Sequence, residues 1–139
     1  MYADIYPLPK TGAGTWIVNA LFSTVGINPI IVVLVIIILT VLLTNIMSNI
    51  GAVAILLPIG IAISTEIDGI SPLLSAMIIA LSAGFAFMLV IATPGNAITY
   101  SSGYFSTKDL FKAGSIANIA CIIVIFIVAI VYWKGYLNM

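Results

Sequence analysis

The sequence of 139 residues carries little charge, and it contains neither histidine nor arginine. Its four lysines balance four acidic residues, so charged residues make up 6% of the chain, whereas a soluble domain has about 25%. A nucleic-acid partner is not expected, because binding phosphates needs clustered basic side chains. Without histidine the serines lack their usual general base, and a single cysteine cannot build a zinc site. These absences argue against an enzyme, and no cofactor is expected.

What the sequence has instead is apolar residues, which make up 63% of the chain and give a mean hydropathy of +1.34. Its long runs of Ile, Val and Leu lack the alternation of a barrel strand, so they predict helices that satisfy their own backbone groups in lipid. The predicted fold class is therefore an all-α integral membrane protein, with the lipid bilayer as its first partner.

The first part of the chain is predicted to contain a hairpin. Residues 1–28 form a lead and a connecting or interfacial helix, since the stretch 14–26 is too short to span a bilayer. Residues 29–65 form a re-entrant helical hairpin with its tip at 44–49, "TNIMSN". Between residues 30 and 63 a straight helix would run about 51 Å, against a hydrocarbon core of about 30 Å. The tip divides this length into two apolar arms of 14 residues, although two short spans joined by a surface turn fit equally well.

The remaining chain divides into four predicted segments. These are an external loop (66–71), a discontinuous helix (72–105) broken at 92–96, a last transmembrane helix (106–134) and a tail (135–139). Lys108 and Lys112 place residues 104–112 in the cytoplasm by the positive-inside rule, so the protein is a multi-pass protein of the cell membrane with its C-terminus outside.

Two helices are predicted to begin inside the membrane. Ser48 or Asn49 caps one near residue 50, and Thr93 caps another that has Pro94 in its first turn. Helix N-termini attract anions, while the unpaired carbonyls of the preceding helices suit a cation. The apolar runs 30–43, 50–63, 72–92 and 110–133 hold no acidic residue or histidine for a proton relay, so sodium is the favoured coupling ion.

The stretches "TNIMSNIGAVAILLPIG" and "VIATPGNAITYSSGYFSTKDLFKAG" resemble the C-terminal part of the divalent anion/sodium symporter family. The resemblance implies a secondary transporter for di- and tricarboxylates or sulfate, which moves its hairpin and broken helix together as an elevator. It implies that Na⁺ is bound by Thr44, Met47, Ser48, Asn49 and Ala92. It implies that the small anionic substrate is contacted by Ser48, Asn49, Ile50, Thr93, Pro94 and Asn96.

Two residues depart from the family pattern. Ile50 stands where the family's Ser-Asn-Thr signature has a threonine, and Gly95 replaces the second proline of the unwound segment. Both leave the identity of the anion open.

The family's carriers contain two inverted repeats, and this chain shows one. The resemblance therefore implies a C-terminal half that is incomplete alone and needs a missing N-terminal repeat or a partner subunit. A homodimer of opposed copies would also complete the site. The alternatives are a related anion or sodium/proton carrier of the same superfamily, and a non-transporting membrane scaffold or subunit.

Overall fold

A computed structural model describes residues 28–67 and 69–136 of the chain, with Glu66 and residues 133–136 described through their backbone alone. Over these residues it contains five helices and no strand, which agrees with the predicted all-α class. The helices are α1 (Pro29–Ile46), α2 (Asn49–Glu66), α3 (Pro72–Ser82), α4 (Pro94–Ser101) and α5 (Thr107–Tyr136). The predicted connecting helix and the last three residues of the predicted tail lie outside the described residues.

Helix α1 starts where the sequence predicts a break. The side chain of Asn28 accepts a hydrogen bond of 3.1 Å from the N–H of Ile30, and Pro29 occupies the first helical position. A proline costs nothing there, because the first N–H groups of a helix have no intrahelical partner.

The hairpin turn between α1 and α2 is shorter than the sequence predicts. Only Met47 and Ser48 leave the helical conformation, and each arm of the hairpin has 18 residues rather than 14. Ser48 is the N-cap of α2, and its hydroxyl accepts a hydrogen bond of 3.2 Å from the N–H of Gly51. Thr44 and Asn45 remain in α1 because their side chains find hydrogen-bond partners without the backbone unwinding.

The connection from α2 to α3 is tied down by apolar residues. Ile67 and Ile70 are 3% and 4% exposed and belong to the core, although this stretch is predicted to be an external loop. The N–H of Ile70 approaches the carbonyl of Ile67 in a turn, and Gly69 adopts a φ of +97° that other residues rarely reach. Ser71 then caps α3.

Helix α3 ends earlier than the sequence predicts. It stops at Ser82, and residues 83–93 are non-helical, so the break precedes and overlaps the predicted one at 92–96. The chain becomes helical again at Pro94, with Thr93 as the predicted cap, whose hydroxyl accepts a hydrogen bond of 3.2 Å from the N–H of Asn96. We call residues 83–93 the unwound segment.

The core lies between α1, α2, α3 and one face of α5, with the most extensive contacts between α2 and α3. Buried branched aliphatic side chains fill it, among them Val33, Ile37, Ile59, Ile63, Ile79 and Ile125. Helix α4 buries none of its residues and contributes nothing to this core. Helix α5 buries one narrow face and extends to Tyr136, two residues past the predicted end of the last transmembrane helix.

Two helices are long and apolar enough, by length and composition, to cross a membrane. They are Pro29–Ile46 and the portion Thr107–Tyr132 of α5, while α2 and α3 are apolar but shorter in apolar extent. Exposed Ile and Val side chains cover most of α5, with Ile116 71% and Val131 64% exposed. Together with a chain that is only 6% charged, this surface fits an integral membrane protein.

Candidate binding site at the hairpin tip

The hairpin tip is bonded to the unwound segment through Thr44. Its side chain is 0% exposed, and its hydroxyl oxygen lies 2.7 Å from Oδ1 of Asn49 and 2.8 Å from the carbonyl oxygen of Ala83. The end of α1, the first residue of α2 and the residue after α3 therefore meet at one atom.

A hydroxyl has one proton, so Thr44 cannot donate to both oxygens at once. If it donates to Ala83, the Asn49 amide satisfies the contact by presenting its nitrogen instead, since the two ends of an amide have nearly the same shape. If Oδ1 of Asn49 stays in place, three neutral oxygens converge. Such hairpin and unwound-backbone oxygens are the ligands that carriers with broken helices use for Na⁺.

Asn45 makes the second connection between the hairpin and the unwound segment. It is 4% exposed, and its amide nitrogen donates to the carbonyl of Val41, at 2.7 Å, and more weakly to that of Phe85, at 3.4 Å. Its Oδ1 accepts a hydrogen bond of 2.9 Å from the N–H of Met88. All three contacts satisfy polar groups in an apolar setting.

Asn96 makes the third connection, from the side of α4. Its amide nitrogen donates to the carbonyls of Ala86 and Leu89, each at 2.8 Å. The family resemblance implies that Asn96 contacts the substrate, and that role stays a prediction. The structure adds that its amide nitrogen already supports the unwound segment.

These connections explain why an apolar stretch is not helical. Residues 83–92 read "AGFAFMLVIA" and contain nothing that would break a helix except Gly84. Unpaired peptide groups in lipid cost several kcal/mol each. Here Thr44, Asn45 and Asn96 provide hydrogen-bond partners for five peptide groups of the unwound segment, those of Ala83, Phe85, Ala86, Met88 and Leu89.

Helix α5 packs closely against the unwound segment at Gly114. A Cβ built on Gly114 would collide with the carbonyl group of Phe87 and would lie 2.8 Å from Cα of Met88. The backbones of α5 and the unwound segment are therefore in direct contact, which no larger residue permits at this position.

The predicted site residues differ in exposure. Two are buried, four are half-buried and three are exposed: Thr44 and Ala92; Met47, Asn49, Thr93 and Asn96; Ser48, Ile50 and Pro94. Of these nine, the structure joins Thr44 to Asn49 and Thr93 to Asn96 by hydrogen bonds. Within the described ranges, no side-chain hydrogen bond connects the tip to Ala92 or Thr93.

The predicted site lacks six residues that form hydrogen bonds in this junction: Asn45, Ala83, Phe85, Ala86, Met88 and Leu89. The only signal among them is the polarity of Asn45 beside the apolar arm. The other five contribute backbone groups, which a sequence does not mark.

The electrostatics of the junction come from neutral groups. Ser48 and Thr93 cap the N-termini of α2 and α4, whose first N–H groups carry a partial positive charge. Neither helix has an acidic or basic residue in its first turn. The part of the chain that the structure describes also contains no cluster of His, Cys, Asp or Glu that would hold a transition metal.

A helical hairpin bonded to the unwound stretch of a broken helix, in a chain of this hydropathy, defines an integral membrane protein of the helical class. The chain belongs to the family described as the sodium:sulfate symporter transmembrane region, whose model matches residues 6–139. The resemblance drawn from the two sequence motifs is thereby confirmed.

Several curated proteins are similar to this chain. It is 37% identical over 121 residues to the sodium-dependent dicarboxylate transporter SdcS of Staphylococcus aureus, covering 87% of this chain and 23% of that protein. The same-named protein of Staphylococcus saprophyticus is 34% identical over a stretch of the same extent. The sodium-dependent low-affinity dicarboxylate transporter 1 of Caenorhabditis elegans is 36% identical over 108 residues, covering 76% of this chain and 18% of that protein. The chain thus spans about a quarter or less of the length of these relatives.

Proposed function

We propose that this chain supplies one hairpin and one broken helix of a sodium-coupled secondary transporter for di- or tricarboxylates or a similar divalent anion. One observation carries the proposal: Thr44 brings the hairpin tip and the unwound segment together, with its hydroxyl within 2.8 Å of both Asn49 and Ala83. Membership of the sodium:sulfate symporter family and the names of the relatives support it.

Sodium binds at the tip. Thr44 and Asn49 supply oxygens there, and the resemblance adds Ser48 and the backbone carbonyls of Met47 and Ala92. Neutral oxygens suit a cation that must bind and leave again in each cycle, because no fixed negative charge traps it. Sodium is the coupling ion in this proposal.

The anion binds beside the sodium. The capped N-termini of α2 and α4 offer free N–H groups to a carboxylate without any basic side chain. Ser48, Asn49, Thr93, Pro94 and Asn96 line this part of the site, with Ile50 at its edge. Because both helices start at polar caps within apolar sequence, the anion would be held at membrane depth.

The hairpin is re-entrant in this proposal. Arms of 18 residues are about 27 Å long, slightly shorter than a hydrocarbon core of about 30 Å. The tip keeps Thr44 and Asn45 buried and bonded to protein rather than solvated, which supports a position inside the membrane. Residues 104–112 are cytoplasmic, and the C-terminus is outside.

The complete carrier contains a second hairpin and a second broken helix. The relatives support this, because this chain spans only 23% of the Staphylococcus proteins. An N-terminal repeat, a partner subunit or a second copy in the opposite orientation would supply them.

The test uses a chimaera in which this chain replaces the aligned stretch of the Staphylococcus aureus transporter. The chimaera is reconstituted into liposomes, and uptake of labelled succinate and of labelled sulfate is measured with a sodium or a potassium gradient. We expect uptake of one anion with sodium alone. Asn49→Asp should reduce it to background, because the new negative charge lies beside the substrate. Asn28→Asp is the matched control, since aspartate caps α1 as well as asparagine does.

Each other outcome identifies an alternative. Uptake that is equal in both gradients would indicate a related carrier without sodium coupling. A folded chimaera with no uptake of either anion would favour a non-transporting scaffold. Full uptake by Asn49→Asp would refute the site.

A further inference from the structure

Asn45 is a buried polar residue that the proposed binding site does not use. It lies in the polar tip of the hairpin, next to Thr44, and it is 4% exposed. Its side chain nevertheless binds two backbone groups of the unwound segment, the carbonyl of Phe85 and the N–H of Met88.

The unwound segment is held from two sides. Asn45 of α1 binds Phe85 and Met88, whereas Asn96 of α4 binds the neighbouring Ala86 and Leu89. The two asparagines thus bond different peptide groups within five consecutive residues. Asn96 connects the unwound segment to α4, and Asn45 connects it to the hairpin.

Burial alone does not account for these contacts. Asn118 of α5 is 2% exposed, yet neither of its amide atoms has a hydrogen-bond partner among the described residues. The intrahelical bond of Asn45 to Val41 does not account for them either. Thr40 makes the same type of bond, 2.7 Å long, to the carbonyl of Ile36 without reaching another element.

We propose that Asn45 is a positioning residue for sodium binding. It holds Phe85 and Met88 against α1, and it thereby keeps the carbonyl of Ala83 at Thr44. Ala83 is itself held at the end of α3, where its N–H bonds the carbonyl of Ile79. Without Asn45, the chain that follows Ala83 loses its bonds to α1, and the oxygens around the hydroxyl lose their fixed spacing. This inference rests on the proposed function, because it concerns the same sodium site.

Two variants separate positioning from folding. Asn45→Leu removes all contacts of the side chain. Asn45→Thr preserves folding, because its hydroxyl bonds the carbonyl of Val41 as Thr40 bonds that of Ile36, but it is too short to reach the unwound segment. Asn118→Leu is the matched control, since it removes an equally buried asparagine that bonds no described residue.

The first measurement is the sodium concentration for half-maximal anion uptake by the chimaera in liposomes. We expect Asn45→Leu and Asn45→Thr to raise it about tenfold, the effect of leaving one buried donor unpaired. The maximal rate at saturating sodium should change less than about twofold, because the ligands themselves remain. Asn118→Leu should change neither quantity.

The second measurement is hydrogen–deuterium exchange of the full chain in lipid nanodiscs, without transport. The amide of Met88 should exchange at least about tenfold faster in both Asn45 variants and at the unchanged rate in Asn118→Leu. If both Asn45 variants leave the sodium dependence unchanged, or if Asn118→Leu shifts it equally, the inference is refuted. If the unsubstituted chimaera shows no sodium dependence, the proposed function fails instead, and protection of Met88 still decides whether Asn45 anchors the segment.

Discussion

The hydroxyl of Thr44 lies 2.8 Å from the carbonyl oxygen of Ala83, 39 residues further along the chain. This single contact joins the end of the first hairpin helix to the residue at which α3 has just ended. Because Thr44 is fully buried, the hydroxyl has no water to replace a lost partner. The two interruptions of the fold, at the tip and after α3, are therefore parts of one structure.

Replacing Thr44 by valine should weaken both the fold and the response to sodium. Valine keeps the shape of the side chain but leaves the carbonyl of Ala83 unpaired, which we expect to cost about 1–2 kcal/mol of unfolding free energy. Thermal unfolding of the purified chain in detergent, with and without sodium, measures this loss. Stabilisation by sodium should disappear as well, because an oxygen ligand is removed.

Thr40→Val is the control for this experiment. Thr40 is equally buried in α1, but its hydroxyl bonds only Ile36 of the same helix. We expect a change below about 0.5 kcal/mol, since such a bond adds little to a helix. Equal losses in the two variants would mean that the contact with Ala83 contributes nothing specific.

The helix starts could be predicted from the sequence because their causes are local. Asn28 with Pro29, Ser48, and Thr93 with Pro94 are capping residues whose effect reaches three residues along the chain. The approximate position of the hairpin turn and the family resemblance could likewise be predicted from contiguous stretches of sequence.

The end of α3 could not be predicted, because its cause is not local. Residues 83–92 are as apolar as the helix before them, and the groups that replace their helical hydrogen bonds belong to Thr44, Asn45 and Asn96. The sequence of residues 83–92 alone does not indicate these distant partners. The burial of Ile67 and Ile70 also depends on residues elsewhere in the chain. Their charged neighbours Glu66 and Asp68 predict a solvated loop instead.

Asn96→Ala should loosen the unwound segment without affecting the hairpin. The change removes two hydrogen bonds of 2.8 Å and leaves the carbonyls of Ala86 and Leu89 without that donor. We expect a loss of about 1–2 kcal/mol, less than two ideal buried bonds because Asn96 is only half-buried. Hydrogen exchange of a peptide covering the unwound segment should accelerate accordingly.

Thr99→Ala serves as the comparison, because the exposed hydroxyl of Thr99 bonds only Gly95 within α4. Its effect should stay below about 0.5 kcal/mol. Faster exchange in the tip as well as in the unwound segment would show that Asn96 stabilises the whole domain rather than this segment.

Gly114→Ala should displace the unwound segment from α5. The added methyl group would meet the backbone of Phe87 and Met88, which cannot rotate away as a side chain can. We expect a destabilisation of about 1–3 kcal/mol. Gly60→Ala is a useful contrast, because its methyl group meets the far end of the Ile79 side chain rather than backbone.

The ratio of the two effects is the informative quantity. Gly60→Ala should cost less than about 1 kcal/mol, and its penalty is offset by the better helix propensity of alanine. Unfolding midpoints of the two variants in the same detergent give the comparison. A smaller effect at Gly114 than at Gly60 would contradict the direct backbone contact between α5 and the unwound segment.

Ile50→Thr should increase the affinity for a dicarboxylate. Ile50 is 83% exposed next to the tip, and it stands where the family signature has a threonine. A restored hydroxyl would donate to a substrate carboxylate, and hydrogen bonds to charged groups contribute about 1.5–3 kcal/mol. The substrate concentration at half-maximal uptake should therefore fall at least about tenfold.

Ile50→Val is the control, because valine has the same shape as threonine without the hydroxyl. It should leave the substrate concentration at half-maximal uptake unchanged. Neither variant should alter the unfolding midpoint, because the side chain packs against little of the described chain. Equal uptake curves for the threonine and valine variants would place the anion away from residue 50.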